Sequence, residues 1–184
     1  MSYPSYKDIQ KAREHLTEVS YNHWVHHDLW SFNWWILLIA TFLPWVIWFR
    51  LVNRDRIFEI FSYAMGFGVT ASILDVFGVD YEWWGYPDKL VAMMPPLFPA
   101  DIAVLPVLYS LVYQYSSTWK KYMLYSVLVS ALISYIIEPI CKKMGIYENQ
   151  HFTHTMSFIG FTILSLIIKW IMEAVKRFKV SESK

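Results

Sequence analysis

The chain has 184 residues, a length for one domain, with 56% hydrophobic residues, 17% charged residues and a net charge of +1. So low a charged fraction argues against an ordinary soluble domain, where about a quarter of residues carry charge. The near-zero balance supplies no basic field for nucleic acid, so no nucleic-acid partner is expected.

Ten tryptophans and thirteen tyrosines suit membrane–water interfaces, where one end of the ring is apolar and the other wet. The lone cysteine, Cys141, forms no internal disulfide and leaves the redox compartment open. The first thirty residues lack the basic start, short apolar core and small-residue cleavage site of a secretory signal, so nothing is expected to be removed.

Ser5 followed by Asp8 resembles a capping box with Asp in place of the usual Glu or Gln. From there Ile9, Ala12, Leu16, Val19, His23, His26, Trp30 and Asn33 recur at alternating steps of three and four. That spacing predicts one face of an amphipathic helix running into the first apolar stretch. Within it, "YNHWVHHDLW" (residues 21–30) places His23, His26 and His27 on an arc about 100° wide. Imidazoles at i, i+3 and i+4 can coordinate one metal, which makes these three the metal-ligand candidates and candidate binding residues. The alternative is rings that are simply packed and hydrogen-bonded. Membrane di-iron desaturases use HxxHH but need several such boxes, and six histidines with one box argue against that class. Asp28, about 100° from His27 on a regular helix, is expected to face elsewhere.

A bilayer core of roughly 30 Å takes about 20 apolar residues in a helix. Five stretches qualify, at about 31–50, 57–78, 99–116, 121–141 and 154–175. They are separated by "NRDR", "VDYEWWGYPDK", "SSTWKK" and "KKMGIYENQH". The expected fold is all-α, an integral membrane bundle of five transmembrane helices with an amphipathic N-terminal helix. Residues 1–30 form the extramembrane or interfacial helix, 31–175 the membrane domain and 176–184 a cytoplasmic tail. There are no internal repeats.

Cations near the span ends set orientation. Arg50, Arg54, Arg56, Lys120, Lys121, Lys176, Arg177, Lys179 and Lys184 fall on one side. Lys89, Lys142 and Lys143 fall close to the spans on the other. The N-terminus is therefore expected outside and the C-terminus in the cytoplasm. Trp30, Trp34, Trp83 and Trp84 would mark the outer interface, and Trp48, Trp119 and Trp170 the inner one.

On this layout the ionisable residues meet near the outer leaflet: Asp75 ending span two, Asp101 opening span three, Glu138 ending span four, and His151 and His154 opening span five. Charges in spans are costly, which makes them informative. Ser126, Ser130, Ser134 and Glu138 form a polar stripe at steps of four. Ala64, Gly68, Ala71 or Ser72, and Asp75 form a small-residue stripe of the kind that belongs at helix–helix seams. Asp75, Asp101 and Glu138 are the candidate catalytic acids and bases; Trp84, Tyr86 and His154 join the three N-terminal histidines as candidate binding residues. Capping and cross-helix hydrogen bonding is the plainer role for each acid alone. Lys169 with Glu173 is expected to be a snorkelling or i,i+4 pair at the inner surface.

The series "WVHHDLWSFNWW", "ILDVFG", "WWGYPDKL", "FPADIAVLPVLYSLVYQY" and "IIEP" resembles an uncharacterised family of small five-span integral membrane proteins from spore-forming Gram-positive bacteria. The likeness covers nearly the whole chain and implies a bacterial plasma-membrane location, with no assigned reaction. Asp75, "WGY" and Asp101 are also locally similar to membrane lycopene cyclase domains, which protonate an isoprenoid double bond with a carboxylic acid held in an apolar site. This chain has one acid in "FPAD" where those domains carry an adjacent acidic pair. Two functions are therefore expected: a lipid- or isoprenoid-modifying enzyme using carboxylate acid/base chemistry, or a non-catalytic binding or sensing module for a small amphiphile, an ion or a partner protein. The implied partners are the bilayer, a lipid or isoprenoid ligand, and a second copy or another protein docked through the N-terminal helix. The cofactor is left open.

Overall fold

A computed structural model describes residues 3–94 and 97–181, with side chains to residue 177; Lys184 of the expected tail lies outside the described residues. The described chain is all-α apart from one two-residue strand pair. Helix α1 (Tyr6–His23) begins where the Asp8 carboxylate accepts the Ser5 N–H and O–H, both at 2.8 Å. Asp in place of Glu thus closes the capping interaction.

Helices α2 (Phe32–Leu51), α3 (Ile57–Asp80), α4 (Leu105–Tyr115), α5 (Trp119–Leu132), α6 (Glu138–Lys143) and α7 (His154–Ser181) come next along the chain. Among the described residues, four helical runs are long and apolar enough to cross a membrane: Phe32–Leu51, Arg54–Asp80, Trp119–Lys143 and His154–Arg177. They match four of the five expected stretches closely. The remaining stretch is shorter, a π-helical turn at Ala100–Val104 leading into α4, and it is the most enclosed part of the bundle, with Tyr109, Ser110 and Pro106 fully buried. Outward faces stay apolar: Ile39, Phe42, Val46, Val69, Ile73, Leu124, Leu128, Ile159 and Ile163 are all exposed, as on a surface solvated by lipid rather than water.

Packing between helices keeps to the expected stripes. Ala64, Gly68, Ala71 and Asp75 are buried on α3, and Ser126, Ser130 and Ser134 on the α5 side. A β-carbon on Gly68 would stand 3.0 Å from the Asp101 carbonyl and from Pro106, so the glycine permits the closest approach between α3 and the segment that carries Asp101. Hydrogen bonds stitch the same seams: Trp48 Nε1 donates to Ser110 Oγ at 3.0 Å, and Tyr109 pairs with Ser130 at 2.7 Å. Trp48, expected at the interface, is fully buried by that contact.

Three π-helical turns interrupt the helices, at Trp24–Asp28, Ala100–Val104 and Ile133–Ile137. Such turns insert one residue per turn and re-aim the side chains beyond them. Two precede prolines, Pro106 and Pro139, whose missing N–H groups loosen the regular ladder. The first ends the N-terminal helix, so the predicted continuous face from Ile9 to Asn33 is broken. Trp30 then takes a left-handed backbone (φ 66) before Ser31 caps α2 by accepting the Trp34 N–H at 3.1 Å.

Candidate functional site

All three π turns lie at the end of the bundle where α3 finishes and α7 begins. Two loops meet there, residues 81–98 and 144–153. They zip through strands β1 (Trp84–Gly85) and β2 (Glu148–Asn149), with Trp84 opposite Asn149. The Trp83 carbonyl accepts the N–H groups of Gln150 and His151, both at 3.1 Å. Phe152 packs against Trp83 and Trp84, its ring 6.0 and 4.7 Å from theirs.

Asp75 is the anchor of the first loop. Its Oδ1 accepts the Trp84 indole N–H at 2.7 Å and the Tyr86 hydroxyl at 2.8 Å, and its Oδ2 accepts the Leu97 N–H at 3.1 Å. Charge-assisted bonds of this kind each contribute roughly 1.5–3 kcal/mol. Trp84 and Tyr86, singled out as binding residues, thus meet Asp75 directly.

Asp101, 5% exposed, faces the same carboxyl group from the π turn above α4. Its Oδ2 has no hydrogen-bond partner among the described residues. Two buried carboxyls in contact cannot both carry charge. Asp75 accepts three donors, whereas Asp101 Oδ2 accepts none.

Glu138 lies in a second group. Its Oε2 is 2.7 Å from His154 Nδ1, and its carboxyl also reaches the buried Ser157 hydroxyl. Tyr147 bridges the two groups: its ring lies 5.8 Å from Tyr86 and 6.5 Å from His154, and its hydroxyl also contacts Ser157. The Tyr86 hydroxyl is pushed well up by burial and by the Asp75 carboxyl beside it. Burial and the Glu138 charge push Tyr147 up likewise. Both phenols therefore stay protonated donors. Asp75, Asp101, Glu138, His154 and Tyr86 form one polar layer. Tyr147 and Ser157 belong to it and were not singled out in the sequence; a tyrosine in a loop carries no periodic signal, and Ser157 is marked only by lying one helical turn after His154.

The N-terminal histidines form a separate wall. His23, His26 and His27 are all exposed. The His23 and His27 rings stack at 4.8 Å, while His26 Nδ1 turns back to the Asn22 carbonyl at 2.7 Å. Among the described residues no three His, Cys, Asp or Glu side chains are grouped to hold a metal ion. Asp28 overturns the expectation that it faces away: it is 2% exposed, and its Oδ1 lies 3.4 Å from His23 Nε2. The cause is the π turn, which puts residues five apart on one face where a regular helix would not. Asp28 Oδ2 also accepts the Lys89 N–H at 3.0 Å. Burial raises its pKa, with the Lys89 bond opposing.

The loop between the two walls is therefore held from both sides. Asp28 takes Lys89, Asp75 takes Trp84, Tyr86 and Leu97, and the indoles of Trp24 and Trp34 both donate to the Leu90 carbonyl at 3.1 and 3.0 Å. Asn33 adds bonds to Asp88 at 2.5 Å and to the Met144 carbonyl at 2.7 Å.

No family model, curated protein or solved structure matches this chain. The fold and the site define its class on their own terms: an all-α bundle with four helices fit to cross a membrane and a buried carboxyl layer at one end.

Proposed function

We propose that this chain is a five-span bacterial plasma-membrane enzyme, N-terminus outside and C-terminus in the cytoplasm, that modifies a lipid or isoprenoid by general acid/base chemistry. The observation that carries this reading is the asymmetry of the acid pair: Asp75 is saturated with donors while the buried Asp101 keeps an unpartnered oxygen. Asp101 is the acid that gives a proton to the substrate, and Asp75 is the positioning residue that holds the aromatic loop against it. Glu138 with His154 takes up the proton lost from another carbon of the substrate, so that the reaction is an isomerisation or cyclisation with no net proton consumed.

Support comes from the local likeness of Asp75, "WGY" and Asp101 to the membrane cyclase domains. The five-span layout is supported by the run at 98–115, whose 18 residues measure about 27 Å and lie between helices that do qualify. Membership of the small five-span family is part of the same proposal. Its test is mass spectrometry of the lipids that co-purify with wild type and with Asp101→Asn, together with the membrane lipid profile of cells carrying each. The substrate is expected to accumulate in the variant. Identical profiles with a folded variant would remove the enzyme reading.

One observation favours a second reading. Ile9, Leu16 and Val19 are exposed on α1, which buries none of its residues. An apolar stripe left uncovered suits a binding or sensing module that docks a partner through α1. Co-purification of a second protein, lost on Leu16→Glu, with lipid profiles unchanged by Asp101→Asn, would favour that reading over the enzyme.

A further inference from the structure

The end of the bundle opposite the acids contains a buried lysine that takes no part in the acid layer. Lys169, on α7, is 4% exposed rather than snorkelling outward as its spacing from Glu173 suggested. Its ammonium stands 4.3 Å from the Tyr122 ring, 5.0 Å from Trp119 and 5.7 Å from Tyr113. These π faces offset part of the charge. The ammonium still has three N–H donors. Its nearest carboxylate oxygen, Glu173 Oε1, is 3.7 Å away, beyond hydrogen-bond range, and the other Glu173 oxygen is taken by the Trp119 indole at 2.7 Å.

Two more cations share the Tyr113 ring. Arg56 lies 5.8 Å from its centroid and Lys176 5.5 Å. Glu59 holds both, at 2.7 and 2.5 Å, and also accepts the Tyr113 hydroxyl at 2.6 Å. Three cations thus surround one ring with two carboxylates among them, which leaves one positive charge in excess. The two outer cations are partly exposed and already fixed in place. Beside them the surface turns apolar, with Phe58, Trp170 and Ile171 exposed on α3 and α7.

We propose that this cluster binds the phosphate of an anionic membrane lipid, with Arg56 and Lys176 taking the headgroup, the buried Lys169 adding its charge beneath it, and the acyl chains lying along the exposed faces of α3 and α7. Basic pockets between spans on the cytoplasmic side are where such headgroups are recognised. The adjoining apolar surface is the reason a lipid fits better than free phosphate. This lipid site rests on the bilayer reading and is independent of the acid pair at the other end.

The test is thermal unfolding of the purified protein in a neutral detergent with added phosphatidylglycerol, phosphatidylcholine or inorganic phosphate at equal concentrations. Phosphatidylglycerol is expected to raise the midpoint well beyond the other two. The double variant Arg56→Gln/Lys176→Gln is expected to need roughly tenfold more phosphatidylglycerol for the same rise, since charge-assisted bonds to phosphate are lost. The single variant Lys176→Gln, at an exposed position, shows a smaller loss in the same direction if the double variant does not fold. Equal protection by phosphatidylcholine, or an unchanged response in Lys176→Gln, overturns the proposal. Equal protection by inorganic phosphate overturns the assignment to a lipid.

Discussion

Trp84 lies against Gly78 so closely that a β-carbon on the glycine would stand 1.9 Å from the indole ring. Gly78 is one helical turn beyond Asp75 on the same face of α3, so the bare backbone there is the seat that sets the indole N–H 2.7 Å from the carboxylate. Gly78→Ala is therefore expected to lower stability by about 1–3 kcal/mol, because the indole must leave its seat and its hydrogen bond. Gly160→Ala is the control: nothing lies within 4 Å of its β-carbon, and alanine favours the helix by up to about 1 kcal/mol. Thermal melts of both variants in detergent check the contrast, which fails if Gly78→Ala melts with the wild type.

The two aspartates should separate folding from chemistry. Asp75→Asn replaces an oxygen with an N–H₂ group that must face a donor, whichever way the amide turns. A loss of about 1–3 kcal/mol is expected, with loosening of residues 84–86. Asp101→Asn loses nothing at the unpartnered Oδ2 and carries an N–H₂ group that can donate to Asp75, so it should unfold within about 1 kcal/mol of wild type. Denaturation curves for the pair read this directly. Equal destabilisation would show that Asp101 is as much a structural anchor as Asp75.

The same contrast explains what could be read in advance. Steps of four placed Asp75 and the Ser126–Ser130–Ser134 stripe on inward faces, because a helix in lipid keeps its period and polar side chains find the bundle interior. The ends of the helices also emerged, from Ser5 and the polar turns, while the Ser31 cap of α2 came only with the structure. Asp28 was misplaced because a π turn changes the phase by one residue, and nothing local marks it. Beside the turns at Ala100–Val104 and Ile133–Ile137 there was a usable signal, a proline two positions past the end of each, Pro106 and Pro139. Lys169 does form the expected i,i+4 pair with Glu173, but its burial was not foreseen, for a different reason. Its aromatic cage is assembled from α4 and α5, far from α7 in sequence, and contacts between distant segments carry no spacing rule. Tyr147 joined the site by the same route.

Asp28 makes a pH prediction with a definite sign. Burial raises its folded pKa above the unfolded value, so the folded state binds the proton more tightly. The stability this adds is full below the ordinary aspartate range and is lost as pH rises through the raised value. His23 and His27 act against the shift and Asp88 acts with it, and the Lys89 N–H opposes it. The stability of wild type minus that of Asp28→Asn should therefore fall as pH rises above the ordinary aspartate range. Denaturation series across that range test it, and a difference that rises with pH would mean that the His23 contact outweighs burial.

The helical run at 98–115 decides how many times the chain crosses. Pro106 offers no N–H to the carbonyl four residues back, Ile102, and a lipid-buried carbonyl without a donor is costly. The Trp45 indole on α2 donates to that carbonyl at 3.1 Å. The loosened segment is thus satisfied by a neighbour rather than by water, the condition under which irregular backbone is tolerated at membrane depth. Its enclosure between α2, α3 and α5 removes the need for a long apolar exterior, which accounts for its shortness. Five crossings put the two termini on opposite sides. An impermeant thiol reagent applied to intact cells should then label a cysteine introduced at Tyr3 and leave one at Lys176 unlabelled until the membrane is opened. Labelling of both from outside would mean an even number of crossings and would place the 98–115 run within one leaflet. The Trp45→Phe variant sharpens the result. With the Ile102 carbonyl deprived of its donor, a spanning segment should lose about 1–3 kcal/mol, while a segment open to water at that point would lose little.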